Sequence, residues 1–154
     1  LPGEAGFAAP VLDVHEFLSQ LGLSETFQAQ LQPLPQAVAY HDACHMIHGQ
    51  GIAAQPRQLL RAIPGLKLRE ATEAGVCCGS AGIYNLVQPE EAAALGQLKA
   101  ADLSGTGAEL IASANIGCSL QIRQHLGPDG PAVLHPMQLL ALSAGLLPAT
   151  ASNG

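Results

Sequence analysis

The sequence has no tryptophan, and aromatic residues make up only 3 % of it. A core of packed rings is therefore excluded, and Ala, Leu, Ile and Val must fill the interior. Charge is scarce too, at 12 % of residues, and positive charge is scarcer. Six Lys and Arg stand against twelve Asp and Glu, for a net charge of −6. Binding to a nucleic-acid backbone needs a cationic face, so that function class is excluded. No apolar run approaches the roughly 18 residues of a membrane-spanning helix. Residues 1–10 show neither the basic region nor the apolar run of a signal peptide, and a start at Leu1 reads as a piece of a longer polypeptide. Four cysteines in 154 residues are too few for a disulfide scaffold. Two of them, Cys77 and Cys78, are adjacent. Neighbouring Cα atoms lie about 3.8 Å apart, short of the usual disulfide span of about 4.4 Å or more. Thiolate chemistry in a reducing, cytoplasmic setting is the expectation.

Hydrophobic residues are plentiful, at 48 %, which is the composition of a folded domain. The pattern predicts an amphipathic helix over 11–23, with Val11, Val14, Phe17, Leu18 and Leu21 on one face, then a Pro-flanked linker to Gln36. Strands are expected at 37–41 (AVAYH), 66–69 (LKLR), 110–113 and 132–134. Helices are expected at 53–63, 89–103, 118–126 and 136–142. Pro89 near a helix start, with Glu90 and Glu91 behind it, suits the positive end of the third of the five helices. The domain reading is an N-terminal helix and linker over 1–36, an α/β domain over 37–145 and a frayed tail over 146–154. Alternation of strands and helices predicts an α/β fold: a mostly parallel sheet of about four strands with helices on both faces.

That order gives the cysteines a meaning. Cys44 follows the first strand, Cys77 and Cys78 lie in the Gly-rich loop after the second, and Cys118 follows the third. Ligands of open α/β sheets gather beyond the carboxyl ends of the strands, so all four thiols are expected at one edge. The spacing holds no C-x-x-C, which leaves a zinc ribbon poorly supported, and no bacterial ferredoxin run. Soft sulfur donors select an iron–sulfur cluster or zinc. Gly79, Gly82 and Gly117 are read as loop-forming residues that let backbone approach a bulky inorganic core, with exposed N–H groups to stabilise its negative charge. A lone cysteine is more often a small buried apolar residue. The Cys77-Cys78-Gly79 triplet resists that explanation, because adjacent side chains rarely face one core.

Four stretches, YHDACHMIH (40–48), CCGSAGIY (77–84), ANIGC (114–118) and LHPMQLL (134–140), resemble the CCG cysteine-rich domain. This family occurs in the glycolate oxidase iron–sulfur subunit, lactate-utilisation proteins and heterodisulfide reductase. Among its members the chain looks closest to the carboxy-terminal CCG domain of the glycolate oxidase subunit. The resemblance implies an iron–sulfur cluster, of the 4Fe–4S type in one form, held by Cys44, Cys77, Cys78 and Cys118. It further implies electron transfer or assembly with a partner subunit that carries FAD and oxidises glycolate or another 2-hydroxy acid. Location would be cytoplasmic, with peripheral association at the inner face of the membrane as one form. The family pattern has a further cysteine where this chain has Gln121, so five thiolates are not available and a His or Asp ligand becomes relevant.

The polar residues around the cysteines are the candidates for that role. Asp42, His45, His48 and His135 are read as possible ligands or as donors to a cluster sulfur. Helix-end hydrogen bonding is the plainer role for His135. His15 and His125 are expected at the surface or half-buried, and Tyr84 as a wall of the site. Gly105-Thr106-Gly107 precedes a strand instead of following one, and Gly79–Gly82 lacks a P-loop lysine, so neither is read as a nucleotide site. Two further functions stay open: a zinc-stabilised interaction domain without redox work, and a thiol enzyme built on Cys44 with His45 or His48. The isolated chain is not expected to be an enzyme.

Overall fold

The computed structural model describes residues 11–148. Strands β1 (Ala37–His41), β2 (Lys67–Glu70), β3 (Leu110–Ser113) and β4 (Ala132–Leu134) are joined and flanked by helices. These are α1 (Val14–Leu21), α2 (Glu25–Gln28), α3 (Ala54–Arg61), α4 (Tyr84–Val87), α5 (Pro89–Gly105), α6 (Ile116–Leu126) and α7 (Pro136–Ser143), with a π-helical turn at Met46–Gln50. All strand pairings are parallel, in the spatial order β2-β1-β3-β4. The α/β fold expected from the alternation is present.

Side-chain alternation along β1 divides the interior in two. Ala37 and Ala39 join one core with Leu103 of α5 and Ile122 of α6. Val38 and Tyr40 join the other with Leu60 of α3 and Leu139 of α7. Helices therefore cover both faces, and small side chains on β1 let α5 and α6 pack close to the sheet. The same alternation turns His41 toward the α5–α6 side. From β1 the chain runs outward to β2, then crosses back to β3 on the other side of β1. Connections after β1 and β3 leave in opposite directions, which opens a crevice at their carboxyl ends. His41 and Ser113 are register partners there.

Several local features depart from the sequence pattern. α1 begins at Val14 because Asp13 caps it, accepting from the His15 N–H. The apolar stripe does not face the core: Val14, Phe17 and Leu21 are exposed. His15, expected near the surface, is instead buried, with its Nδ1 2.7 Å from Asp13 Oδ1 and its ring 5.3 Å from that of His135. In a helix of two turns, the cap and the packing against α3 set which face turns inward, and it presents His15 toward His135. α6 begins two residues before Cys118, since Asn115 accepts from the Cys118 N–H at 3.0 Å. The 11–36 segment packs on the α/β body: Leu31 lies in the second core and Gln32 N–H donates to Ser143 O at 2.6 Å. Residues 1–10 of the expected N-terminal region (1–36) and 149–154 of the expected frayed tail lie outside the described residues. No helix among the described residues is long and apolar enough to cross a membrane.

Candidate metal centre

The four cysteines reach the carboxyl edge of the sheet from three separate parts of the chain. Cys44 follows β1 and opens the turn into the π-helical segment. Cys77 and Cys78 lie between β2 and α4, and Cys118 sits in the first turn of α6 after β3. The thiols form two layers. Cys78 and Cys118 are buried with His41, and the ligand atoms of these three lie within 4.8 Å of one another. Cys44 and Cys77 are half-buried, and their thiols are in hydrogen-bond contact. All four cysteines are free thiols.

Protons in the inner layer are unevenly shared. Cys78 is held well below the ordinary thiol value, at about 4, chiefly because the Cys118 thiol donates to it; His41 and the Ser80 N–H add to the effect. Cys118 is pushed up by that same bond to Cys78 and by burial. The inner pair is therefore one thiolate and one thiol sharing a hydrogen. In the outer layer burial raises Cys77, against the opposing Gly79 N–H that reaches its Sγ at 3.4 Å. Cys78, and with it Cys44 and Cys77, all act electrostatically on Cys118, which is the sign of four sulfurs around one volume.

Backbone constraint holds the CCGSAG loop in place. Gly79 has φ +86° and lies so close to Ala92 O of α5 that a Cβ there would collide with it. A Cβ on Gly117 would meet Ser80 Oγ at 2.8 Å, so this glycine lets the loop rest on the start of α6. These close approaches are protein against protein, unlike the expected approach to an inorganic core. Gly82 has φ +67° in open space, a conformational need alone. Ala81 between them adopts φ +29°, a strained position for a residue with a Cβ and one typical of functional loops.

The other polar candidates have separate tasks. Both Asp42 oxygens accept from Arg57, at 2.8 and 2.6 Å, and the same guanidinium bonds Glu70 and lies 4.8 Å over the Tyr40 ring. This pairing pulls Asp42 away from the sulfurs: it fastens β1, β2 and α3 below the site. His45 and His48 are exposed on the turn after Cys44 and lie outside the inner cluster. His135 caps α7, its Nδ1 accepting from Met137 N–H at 3.1 Å while Gln138 bonds back to its N–H. Tyr84 is half-buried at the start of α4. Gln121, one turn along α6 from Cys118, donates to Ala92 O at 3.1 Å and accepts from Asn85 at 3.5 Å. It ties α4, α5 and α6 together where the family pattern has sulfur. Half-buried His125 packs over Gly96, where a Cβ would strike its ring.

His41, one of the polar residues around Cys44 in the sequence, is the site residue to which the sequence pattern gives no role. The available signal was β1 itself: in AVAYH, His41 shares its face with Ala37 and Ala39, the face that α6 covers. It is 2 % exposed, neither ring nitrogen meets hydrogen-bond geometry among the described residues, and the polar group it bears on is the Cys78 sulfur. Orphaned buried nitrogens cost free energy. Together with two sulfurs at the same spot, they form the soft donor set that suits iron–sulfur or zinc. Four thiols, one of them already charged, and N–H groups aimed at Cys77 and Cys78 fit a metal centre.

Comparison with known proteins agrees with this geometry. The cysteine-rich CCG family matches residues 38–123. The "Probable glycolate oxidase iron-sulfur subunit" of Bacillus subtilis is 37 % identical over 143 residues, covering 90 % of this chain and 32 % of that protein. One subunit of the CoM/CoB fumarate reductase of Methanothermobacter marburgensis is 34 % identical over 137 residues, covering 89 % of this chain and 27 % of its own. One subunit of the dihydromethanophenazine:CoB–CoM heterodisulfide reductase of Methanosarcina barkeri is 31 % identical over 107 residues, covering 68 % and 26 %. The chain thus spans about a third or less of these three relatives. Its matched region holds β1, β2, β3 and all four clustered cysteines, and the chain belongs to the CCG cysteine-rich domain family, which occurs in iron–sulfur subunits of oxidoreductases.

Proposed function

We propose that this chain holds an iron–sulfur centre, of the 4Fe–4S type, on Cys44, Cys77, Cys78 and Cys118, and that it serves a 2-hydroxy-acid oxidase complex. The observation that carries the proposal is the convergence of an inner Cys78–Cys118 pair and an outer Cys44–Cys77 pair at one sheet edge. Such a centre supplies one-electron transfer when bound. The protein's own part is to supply sulfur, keep the inner ligands dry, and stabilise negative charge with the Gly79 and Ser80 N–H groups. The hydride acceptor, FAD, belongs to a partner subunit, with glycolate or a related acid as substrate. Exposed Ile83, Leu86 and Val87 beyond the CCGSAG loop, and Ile116 and Leu120 on either side of Cys118, give apolar contact area for that partner. The complex works on the cytoplasmic side, at or near the inner face of the membrane.

The test is purification without oxygen, followed by measurement of iron, sulfide and zinc. Iron and sulfide in matched amounts with a visible charge-transfer band are expected, and colourless protein containing only zinc would replace this reading with a structural zinc domain. The isolated chain should not turn over glycolate or lactate, since it offers no hydride acceptor of its own. Cys77→Ser with Cys78→Ser in the assembled complex should lower dye-linked oxidation of the hydroxy acid. Unchanged oxidation in that double variant would remove the cysteines from the electron path.

A further inference from the structure

We infer that His41 binds the metal directly through a ring nitrogen, as the third donor of the inner layer beside Cys78 and Cys118. This inference rests on the iron–sulfur reading above and makes its ligand set mixed instead of all-sulfur. The argument begins with burial. An imidazole that is 2 % exposed normally finds a well-formed hydrogen bond for at least one nitrogen, and His41 makes none among the described residues; the polar group it bears on is the Cys78 sulfur. Its ring is not idle packing at random depth either. It stands at the last position of β1, opposite Ser113 of β3, at the crevice where the strand order turns, with a ring nitrogen within 4.8 Å of both inner sulfurs. Three ligand atoms gathered that closely need only small side-chain adjustments to meet one soft metal centre, whose bonds to nitrogen and sulfur run about 2.0–2.3 Å.

Other inner donors are accounted for. Asp42 is taken by Arg57, and the Gln121 amide by Ala92 and Asn85. Ser113 and Ser119 are buried nearby in sequence, but their hydroxyls donate to Asn115 O at 3.5 and 2.9 Å. Without His41 the inner layer offers a metal two sulfurs only. With it, the side of the centre that faces the sheet has three protein donors, and one is a neutral nitrogen. A neutral donor completes the site without adding to the negative charge buried against Ala39, Ile111 and Ile122.

The decisive measurement is the 57Fe Mössbauer spectrum of protein loaded with iron and sulfide without oxygen, because it reads every iron whatever its spin state. One iron should stand apart with the higher isomer shift of a nitrogen ligand, and it should become sulfur-like in His41→Cys with iron content retained. His41→Ala should lose about half or more of its iron, with far-UV circular dichroism reporting whether the variant is folded. A wild-type spectrum in which all irons are sulfur-ligated would overturn the inference and leave the iron–sulfur reading standing. Protein that takes up no iron and sulfide would overturn both.

Discussion

Cys118 donates its thiol hydrogen to Cys78, so the two buried sulfurs hold one proton and one negative charge between them. A helix start and a loop from distant parts of the chain are joined by that hydrogen. Metal binding must break this bond, because both sulfurs serve as thiolates toward a metal.

Metal uptake should therefore depend steeply on pH. Cys118 and Cys77 both lie above the ordinary thiol value, so they hold protons at neutral pH that a metal must displace; Cys78 is already charged. With a raised pKa the proton is lost only as pH rises, so apparent affinity should rise with pH. The protons of Cys77 and Cys118 alone give up to about a hundredfold per unit. Competition between the protein and a zinc indicator dye at pH 6, 7 and 8 measures the slope, and a flat profile would contradict the shared-proton arrangement.

Alkylation should separate the two layers. In metal-free protein Cys44 and Cys77 are half-buried while Cys78 and Cys118 are buried. Iodoacetamide should label the outer pair about tenfold faster or more, because access limits the inner pair despite the charge on Cys78. Peptide fragmentation by mass spectrometry distinguishes Cys77 from Cys78. Labelling of Cys118 as fast as Cys44 would show that the inner layer opens.

Gly79→Ala and Gly117→Ala should differ in severity. At Gly79 a methyl group meets the Ala92 carbonyl of α5 and the backbone sits at φ +86°; at Gly117 it meets the movable Ser80 hydroxyl at ordinary φ. The first should cost about 2–3 kcal/mol or distort the loop, the second about 1 kcal/mol or less. Chemical denaturation of the metal-free proteins gives both values, and equal losses would mean that the Ala92 contact is not the constraint.

Arg57→Ala should destabilise the fold by about 3 kcal/mol, since Asp42, with 6 % side-chain exposure, would be left charged without its partner. Arg57→Ala combined with Asp42→Asn should recover part of the loss by removing that charge. Denaturation midpoints of the single and double variants test this. A double variant no more stable than the single would show that Arg57 acts by packing on Tyr40 instead.

The strand–helix order, the parallel α/β sheet and the edge at which the cysteines gather were all legible in the sequence. Each rests on local information: a continuous apolar run such as AVAYH, Pro89 at a helix start, and cysteines placed just after strands. The adjacent Cys77 and Cys78 marked the centre of the site for the same reason, since two neighbouring side chains cannot both serve one core. Tertiary structure alone decided which polar residues share that centre. Asp42 and His41 are neighbours in β1 and its exit, yet opposite faces of the strand send one to Arg57 and the other to the sulfurs. His15 and the apolar stripe of α1 exchanged their expected places because a short helix is rotated by its cap and its neighbours, not by its own periodicity. The division of four cysteines into a buried, proton-sharing pair and a half-buried pair depends on how α6 and the CCGSAG loop pack, at Gly117 against Ser80 and Gly79 against Ala92. Those contacts join residues far apart in the chain, and no spacing along the sequence encodes them.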